Sequence, residues 1–381
     1  LTGAERATLP EGGELAVEAT SNAFLLSVTL PARGERYTLD ENGGFRIGKI
    51  APRVVKNWMW MRLKEDWSAQ DYRAHFAKIH AAGISGVLFE GYDETVFRLC
   101  KEAGLEAHYW KWTMNRREVM ETHPEWFAVN RKGESSYDQP AYVDYYRFLC
   151  PSHPEVAEYL AEDYLKCANL PYVDGMHLDY VRFPDVVLPV SLWKNYGIEQ
   201  THEMPEYDYC YCDLCRERFK AQTGRDPMDS LYPMEDQSWI NFRLDGITHV
   251  VDKIAARVKG DGKFLSGAVF PGPSMARRMV RQDWGNWPLD AYFPMIYNGF
   301  YYEGPEWIGR SVAESVKAVN GRAAIYAGLM FPDITGDDFE KALDEAYDNG
   351  ASGVSFFDGP DDEYLVRLKA YLDRRGFVPA N

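Results

Sequence analysis

From about residue 51 onward, short apolar runs alternate with longer stretches whose apolar residues recur at helical spacing. Each run suits a buried strand, and each intervening stretch suits a crossover helix. The eight runs are Val54–Trp60, Ile84–Glu90, Leu105–Trp110, Val173–Asp179, Phe264–Phe270, Asp290–Tyr297, Ala323–Met330 and Gly353–Asp358. Strands joined by helices pair in parallel through right-handed crossovers. The pattern therefore predicts one parallel sheet of eight strands.

The stretches between the runs carry the apolar stripe of amphipathic helices. Tyr72, Phe76 and Ile79 share one helical face, and Gly83 and Gly104 follow two of the predicted helices. Glycine tolerates the left-handed conformation that ends many helices. Eight strand–helix units favour a closed α/β barrel, the (β/α)8 TIM barrel, over an open sheet. No Gly-x-Gly-x-x-Gly follows the first run, so we expect no dinucleotide, and no other organic cofactor.

Residues 1–50 follow a different pattern. Strand-like segments lie at 14–19, 24–30 and 36–39, and Asn42-Gly43-Gly44 predicts a turn. We therefore predict a short β-rich N-terminal appendage over residues 1–50 and the barrel over residues 51–381.

Two connections within the barrel are long, at about residues 111–155 and 185–238. Structureless loops of this length are uncommon in compact domains and are often functional. Both follow predicted strands, so both leave the barrel at the face where TIM-barrel active sites lie. The second connection is a cysteine-rich insertion.

The composition narrows the choice of partners. The 381 residues carry a formal net charge of −16, with no stripe rich in Lys and Arg, so we do not expect nucleic-acid binding. No apolar run approaches the length of about 18 residues that indicates a membrane span. Aromatic residues make up 14% of the chain; such rings pack against sugar faces, but they also fill cores. The sequence does not predict an oligomeric state.

The fourth run ends in ionisable residues. Strand alternation puts His177 and Asp179 on one face and Arg182 on the other. A carboxylate on so apolar a strand costs free energy unless it is paired or used. An ion pair with Arg182 or a hydrogen bond to His177 would explain Asp179 structurally. Its place at the carboxyl end of a barrel strand favours a functional role.

This strand also carries a family resemblance. Residues 174–184 resemble the DGIHLDYVRYP signature of bacterial family-10-like glycosyl hydrolases. Segments 123–127, 153–156, 282–287 and 294–297 are similar to that group as well. The resemblance implies a (β/α)8 barrel with a glycosidase-type site, but no particular substrate.

Glycoside hydrolysis normally uses two carboxyl groups. The layout is similar to that of retaining α-glycosidases of families 27 and 31, which implies Asp179 as nucleophile and Asp283 as acid. Asp283 could instead pair locally with Arg278 or Arg281, and Glu90 is then the third candidate. The Asn-Glu acid that family-10 xylanases and family-42 β-galactosidases carry at strand four is absent.

The expected function is therefore hydrolysis of a poly- or oligosaccharide, with retention of configuration. The alternative is a non-catalytic glycan-binding barrel of a polysaccharide-utilisation system. Candidate substrate-binding residues lie at or beyond the predicted strand ends. They are Trp110, Lys111, Trp112, His177, Arg182, Trp284, Trp287, Tyr297, Asn298 and Asp358.

Three cysteines lie within six residues of one another in the second long connection. Cys210, Cys212 and Cys215 suit tetrahedral zinc, whereas disulfides would strain the Cys-x-Cys pair and leave one thiol over. The segment is similar to the zinc loop of family-42 β-galactosidases, where the remaining cysteine lies upstream. That similarity implies Cys150 as the fourth ligand, with His202 as the alternative. Four thiolates leave no open coordination position, so the expected role is structural.

The chain begins Leu1-Thr2-Gly3 without an initiator methionine. Removal of an export signal would leave such a first residue, and so would an artificially chosen start. We expect export to the periplasm or the cell exterior.

Overall fold

The computed structural model describes five N-terminal strands and residues 52–380. The five strands form an antiparallel sheet in sequential order. They are β1 (Ala4–Leu9), β2 (Gly13–Ala19), β3 (Phe24–Leu30), β4 (Glu35–Leu39) and β5 (Phe45–Lys49). The turn predicted at residues 42–44 lies outside the described residues.

Eight parallel strands close into a barrel, which confirms the predicted fold. They are β7 (Asn57–Arg62), β8 (Ile84–Glu90), β9 (Glu106–Trp112), β10 (Gly175–Asp179), β11 (Phe264–Val269), β12 (Ala291–Pro294), β13 (Ala324–Met330) and β14 (Gly353–Phe357). The last strand pairs with the first through Ser355 and Trp58, so the sheet has no free edge within the barrel.

Helices connect the strands and cover the outside of the barrel. They are α1 (Ala69–Ala81), α2 (Glu94–Glu102), α3 (Pro154–Ala168), α4 (Trp193–Tyr196), α5 (Asp213–Thr223), α6 (Gln237–Val258), α7 (Pro273–Val280), α8 (Glu306–Val319), α9 (Asp338–Asp348) and α10 (Asp362–Arg375). Side-chain caps define several helix starts. Ser68 and Asp71 form a capping box on α1, and Asp93 and Asp361 accept main-chain N–H groups of α2 and α10. Among the described residues, no helix combines the length and apolar character that a bilayer crossing requires.

The first predicted strand, Val54–Trp60, begins before the barrel strand β7 does. Residues Arg53–Val55 form a separate strand, β6, which pairs with the C-terminal strand β15 (Phe377–Pro379). The main-chain N–H of Lys56 donates to the carbonyl of Ser352 between β6 and the barrel. The predicted run Val54–Trp60 therefore contributes residues to two different sheets.

Large side chains fill the barrel interior. Trp58 and Trp60 of β7 point inward and pack with Trp110 of β9 and Phe293 of β12. The indole of Trp58 is fully buried, and it fits because Gly86 on β8 has no side chain. The interior is thus a packed core, as in other TIM barrels, and it supports whatever lies at the barrel mouth.

The two long connections lie together. An antiparallel bridge pairs Asn130 with Tyr209, and the main-chain N–H of Tyr211 donates to the carbonyl of Val129. Helices α4 and α5 lie within the second connection. The two connections therefore support each other rather than extending independently into solvent.

The close approach of Gly86 to Trp58 gives a stability prediction. A Cβ atom at Gly86 would lie 2.4 Å from Cζ3 of the Trp58 ring. We expect Gly86→Ala to lower the free energy of unfolding by about 1–3 kcal/mol, because a packed interior cannot absorb the added methyl group. Denaturant unfolding measures the change. The control is Gly285→Ala, whose new Cβ would have its nearest neighbour at 3.5 Å. Equal effects of the two substitutions would contradict the packing argument.

Candidate functional site

A cleft of about 360 Å³ opens at the carboxyl ends of the barrel strands. Its floor comes from strand ends, and its walls come largely from the two long connections. Its ionisable lining residues other than tyrosines are Arg62, Asp179, Arg182 and Asp185. Its aromatic lining residues are Trp110, Trp112, Tyr142, Tyr145, Tyr146, Tyr180, Tyr196, Phe270, Tyr297, Phe300, Tyr301 and Phe357.

Asp179 ends β10 at the floor of this cleft and is 7% exposed. The indole N–H of Trp110 donates to its Oδ2 over 2.9 Å, and the main-chain N–H of Tyr180 donates to its Oδ1 over 2.6 Å. Tyr180 adopts a left-handed conformation, with φ of 47°. Each carboxylate oxygen thus has one fixed donor.

The electrostatic environment of Asp179 is dominated by loss of water. Burial raises the pKa of Asp179, and the nearby charge of Glu90 acts in the same direction. The two N–H donors and the positive charge of Arg182 oppose that rise but do not cancel it. A buried carboxyl group with a raised pKa in a cleft is typical of functional sites.

A second charged group lines the same cleft. Nη1 of Arg182 lies 3.0 Å from Oδ2 of Asp185, and the hydroxyl of Tyr146 donates to the same oxygen over 3.1 Å. The carboxylate of Asp185 and the guanidinium of Arg182 are both almost fully buried. Both charges are satisfied within the protein.

Glu90 ends β8 and lies in a neighbouring pocket of about 300 Å³. That pocket shares Trp110, Trp112 and Tyr145 with the main cleft. Nε of Arg62 lies 2.7 Å from Oε2 of Glu90, and the Glu90 side chain is 28% exposed. Glu90 is therefore a water-accessible carboxylate beside the Asp179 cleft.

Aromatic contacts give the cleft rigid walls. The rings of Trp112 and Tyr180 lie 4.7 Å apart, and Tyr145 of the first long connection packs against Trp112. Tyr297 lies in the cleft as predicted from the sequence, and burial raises the pKa of its phenol well above the usual range, with Asp179 contributing.

Asp283 does not line the cleft that contains Asp179, so the predicted pairing of these two carboxyl groups is wrong. Helix α7 ends just before Arg281, which has a left-handed conformation with φ of 53°. Oδ2 of Asp283 then lies 2.5 Å from Nη1 of Arg277, on α7 itself. The alternative in the sequence is local pairing with Arg278 or Arg281, whereas the structure contains a local ion pair with Arg277.

Three further predicted substrate contacts are buried instead. Trp284 is fully buried and donates its indole N–H to the carbonyl of Phe270 over 3.2 Å. Trp287 donates its indole N–H to Oγ1 of Thr248 over 3.0 Å. Both rings fill space between the barrel and its helices, so neither is a stacking platform in the cleft.

His177 is the third. It is fully buried inside the barrel, where the indole N–H of Trp60 donates to its Nε2 over 3.0 Å. Its Nδ1 lies 2.9 Å from Oγ of Ser266. Burial lowers the pKa of His177 well below its usual value, so the ring is a neutral core residue.

Three others lie near the barrel mouth but outside the main cleft. Lys111 lines the Glu90 pocket, and its ammonium lies 2.8 Å from a carboxylate oxygen of Asp163 on α3. Asn298 is buried and donates to the carbonyl of Glu303, which stabilises its own turn. Asp358 is exposed just beyond β14. Of the ten predicted substrate contacts, the cleft contains Trp110, Trp112, Arg182 and Tyr297.

Several cleft residues were missed in the sequence. Arg62 continues the inward phase of Trp58 and Trp60 on β7, so alternation could have identified it. Asp185 directly follows Phe183-Pro184 in the family-like segment, a position that could have drawn attention. The tyrosines of the first long connection had no such signal, because no periodicity governs an irregular segment.

Four cysteines form a compact cluster away from the strands. Cys150, Cys210, Cys212 and Cys215 place their sulfur atoms within 4.8 Å of one another. The Sγ atom of Cys150 lies 3.6 Å from that of Cys212 and 3.4 Å from that of Cys215. These separations are far longer than a disulfide bond of about 2.05 Å. They suit thiolates around one tetrahedral metal ion, whose ligands at about 2.3 Å lie nearly 4 Å apart.

The surroundings of the cluster fit this use. The main-chain N–H of Val129 donates to Sγ of Cys210, and Sγ of Cys215 lies 3.1 Å from Oγ of Ser152. Such contacts orient metal-binding groups. His202, the alternative fourth ligand, is exposed and lies outside the cluster.

The buried charge of Asp179 gives a pH-dependent prediction. Because its folded pKa is raised, the folded state holds this proton more tightly than the unfolded state, where the pKa is about 3.9. The wild-type protein therefore loses stability at this site as pH rises through the folded pKa. We expect Asp179→Asn to gain stability relative to the wild type between about pH 4 and pH 7, by about 1.4 kcal/mol for each unit separating the two pKa values. Denaturant unfolding at several pH values measures the difference, and parallel curves would contradict it.

The fold is similar to several solved glycoside hydrolase structures. The PgaB (BpsB) glycoside hydrolase domain from Bordetella bronchiseptica is 12% identical, with a TM-score of 0.54 over 86% of this chain and 100% of that chain. The catalytic domain of β-amylase from Paenibacillus polymyxa is 11% identical, with a TM-score of 0.53 over 87% and 96%. The cold-adapted β-galactosidase from Rahnella sp. R3 is 12% identical, with a TM-score of 0.59 over 85% and 56%. At these identities the likeness shows the fold alone.

Among curated proteins, no sequence matches this chain. One family model, described as glycosyl hydrolase-like 10, matches residues 90–342. The matched region includes Glu90, Asp179 and the whole cysteine cluster. It spans more than half of the chain, so this protein belongs to the glycosyl hydrolase-like 10 family.

Proposed function

We propose that this protein is a retaining glycoside hydrolase that acts on a poly- or oligosaccharide. The observation that carries the proposal is Asp179, a buried carboxylate held by two N–H donors at the floor of an aromatic cleft. Aromatic rings bind the apolar faces of sugars, and the cleft volume of about 360 Å³ is that of an ordinary ligand site. Membership of a glycosyl hydrolase-like family supports the same reading.

The second carboxyl group in this proposal is Glu90. Asp179 and Glu90 end β10 and β8, which flank β9, so their backbones are separated by two interstrand spacings of about 4.8 Å each. Both side chains follow the inward phase of their strands. Asp185 is less suitable, because its buried carboxylate is already bound to Arg182 and Tyr146.

The roles follow from the positions. Ionised Asp179 attacks the anomeric carbon, while Glu90, which has taken a proton from solvent, gives that proton to the leaving glycosidic oxygen as the glycosidic bond breaks. Glu90 then removes a proton from water, and the resulting hydroxide oxygen displaces Asp179 from the sugar. The water-accessible position of Glu90 suits proton exchange, and the fixed orientation of Asp179 suits attack. Retention requires the two carboxyl groups to act at about 5–5.5 Å.

Substitution of the two carboxylates tests this assignment. We expect Asp179→Asn and Glu90→Gln each to lower hydrolysis of a responsive glycan at least about 100-fold, since each removes an essential acid, base or nucleophile. Reducing-sugar release from a panel of plant, algal and bacterial polysaccharides provides the measurement. Asp283→Asn is the matched control and should keep near wild-type activity, because Asp283 pairs with Arg277 outside the cleft.

Two results would overturn the proposal at different levels. Undiminished hydrolysis by Asp179→Asn would remove the nucleophile from the mechanism. An inverted product, observed by NMR immediately after cleavage, would exclude retention while leaving a hydrolase.

A non-catalytic glycan-binding barrel is the second candidate. It is favoured by the ion pairs of Glu90 with Arg62 and of Asp185 with Arg182, because each pair already occupies a carboxylate at the barrel mouth. Binding of a glycan that survives Asp179→Asn and Glu90→Gln, with no turnover by the wild type, would establish this alternative.

We also propose that the cysteine cluster binds one structural zinc ion. Four thiolates complete a tetrahedral site, so no coordination position remains for substrate or water. Cys150 ends the first long connection, and the other three cysteines belong to the second. The ion would therefore join the two segments that form the cleft walls.

Metal content and stability test the zinc proposal. We expect one zinc per chain by plasma mass spectrometry, and loss of that zinc in Cys212→Ser, with a fall in Tm of roughly 10 °C. Cys100→Ala is the control, because this buried cysteine lies outside the cluster and should leave the metal content unchanged. A disulfide between cluster cysteines in the purified protein, or a full zinc content in Cys212→Ser, would exclude the site.

A further inference from the structure

We infer that Trp110 is a positioning residue whose indole N–H, together with the main-chain N–H of Tyr180, holds the Asp179 carboxylate in one orientation. The inference rests on the proposed role of Asp179 and deepens it. It also replaces the sequence-based expectation that Trp110 binds sugar.

Each of the two donors binds a different oxygen atom of the Asp179 carboxylate. Nε1 of Trp110 lies 2.9 Å from Oδ2 of Asp179, and the main-chain nitrogen of Tyr180 lies 2.6 Å from Oδ1. One donor on each oxygen fixes the plane of the group, since rotation about its last bond would break both hydrogen bonds. Each oxygen keeps a second lone pair. The arrangement restricts the carboxylate without saturating it.

Trp110 is itself held from below. It is 5% exposed and packs into the interior cluster with Trp58, Trp60 and Phe293. Its ring also meets Phe357 edge-on, with centroids 6.2 Å apart. A ring packed on these sides keeps its N–H in place but offers little surface to a sugar. The position of the donor is therefore set by the barrel core.

Tyr180 is held from the side. Its left-handed conformation, with φ of 47°, is disfavoured for a residue with a side chain, and it follows directly after Asp179. The ring lies 4.7 Å from that of Trp112, and the guanidinium of Arg182 lies 5.0 Å above it. These contacts stabilise a backbone conformation that turns the N–H toward Asp179.

Other charged or titratable groups face Asp179 from the surrounding elements. They are Glu90 at the end of β8, Arg182 and Tyr180 beyond β10, and Tyr297 beyond β12. Burial raises the pKa of Asp179, and the donors from Trp110 and Tyr180 oppose this rise by stabilising the ionised form. Loss of the Trp110 donor should therefore raise the pKa further, by about one unit for a hydrogen bond to a charged group.

A double-mutant cycle read against pH tests the inference. Trp110→Phe keeps an aromatic ring and removes the donor. We expect its free energy of unfolding to fall further below that of the wild type as pH rises from 4 to 8, because its folded Asp179 holds a proton to a pH about one unit higher. In the Asp179→Asn background, the effect of Trp110→Phe should become independent of pH, since no ionisation remains to be stabilised.

Trp60→Phe is the matched control. It removes an indole N–H from the same interior cluster, but that donor serves the neutral His177. Its effect on stability should therefore not change over this range of pH. Parallel pH curves for Trp110→Phe and the wild type would overturn the inference, and so would a pH-dependent effect that persists in the Asp179→Asn background.

Activity supplies a second readout where a hydrolysed glycan is found. The limb of the kcat/KM profile that reports ionisation of Asp179 should move up by about one pH unit in Trp110→Phe, with little change in KM. A raised KM with an unmoved limb would instead assign Trp110 to sugar binding. Failure to find any hydrolysed glycan counts against the proposed function alone, because the stability cycle decides the positioning role without substrate.

Discussion

The site depends on a carboxylate that is kept out of water above an aromatic barrel interior. Burial disfavours the ionised form of Asp179, and the hydrogen bonds from Trp110 and Tyr180 offset part of that cost. Donors can do this only if they stay in place. Packing of the barrel core holds one of them, and ring contacts at the cleft wall hold the other. The packing of the barrel interior therefore also sets the orientation of the Asp179 carboxylate at the barrel mouth.

The walls of the cleft come largely from outside the barrel strands. They come from irregular segments, which the strands and helices cannot fix by themselves. Pairing of Asn130 with Tyr209 joins the two segments, and the four cysteine sulfurs meet at the same junction. The barrel therefore supplies the floor, and two long connections that hydrogen-bond to each other shape the space above it.

The barrel could be predicted from the sequence because alternating apolar runs and helical stripes follow from backbone geometry. The place of Asp179 in the candidate site could be predicted because a charged residue is unusual on so apolar a strand. The positions of side chains in irregular segments could not be predicted in this way. The left-handed turn at Arg281 and the ion pair between Asp283 and Arg277 depend on how the chain turns after α7, which leaves no periodic signal in the sequence. The same limit explains the early start of the first strand, because its break at Lys56 depends on a distant carbonyl.

The small sheet of β6 and β15 has a consequence for synthesis of the protein. It joins Arg53–Val55, just before the barrel, to Phe377–Pro379, directly after helix α10. The barrel itself closes by pairing its first strand with its last. A ribosome releases the chain from its amino end, so neither closure can form until its later strand, β14 or β15, has left the ribosome. Until then β7 has no partner on one side, and that exposed edge must be protected while the rest of the chain emerges.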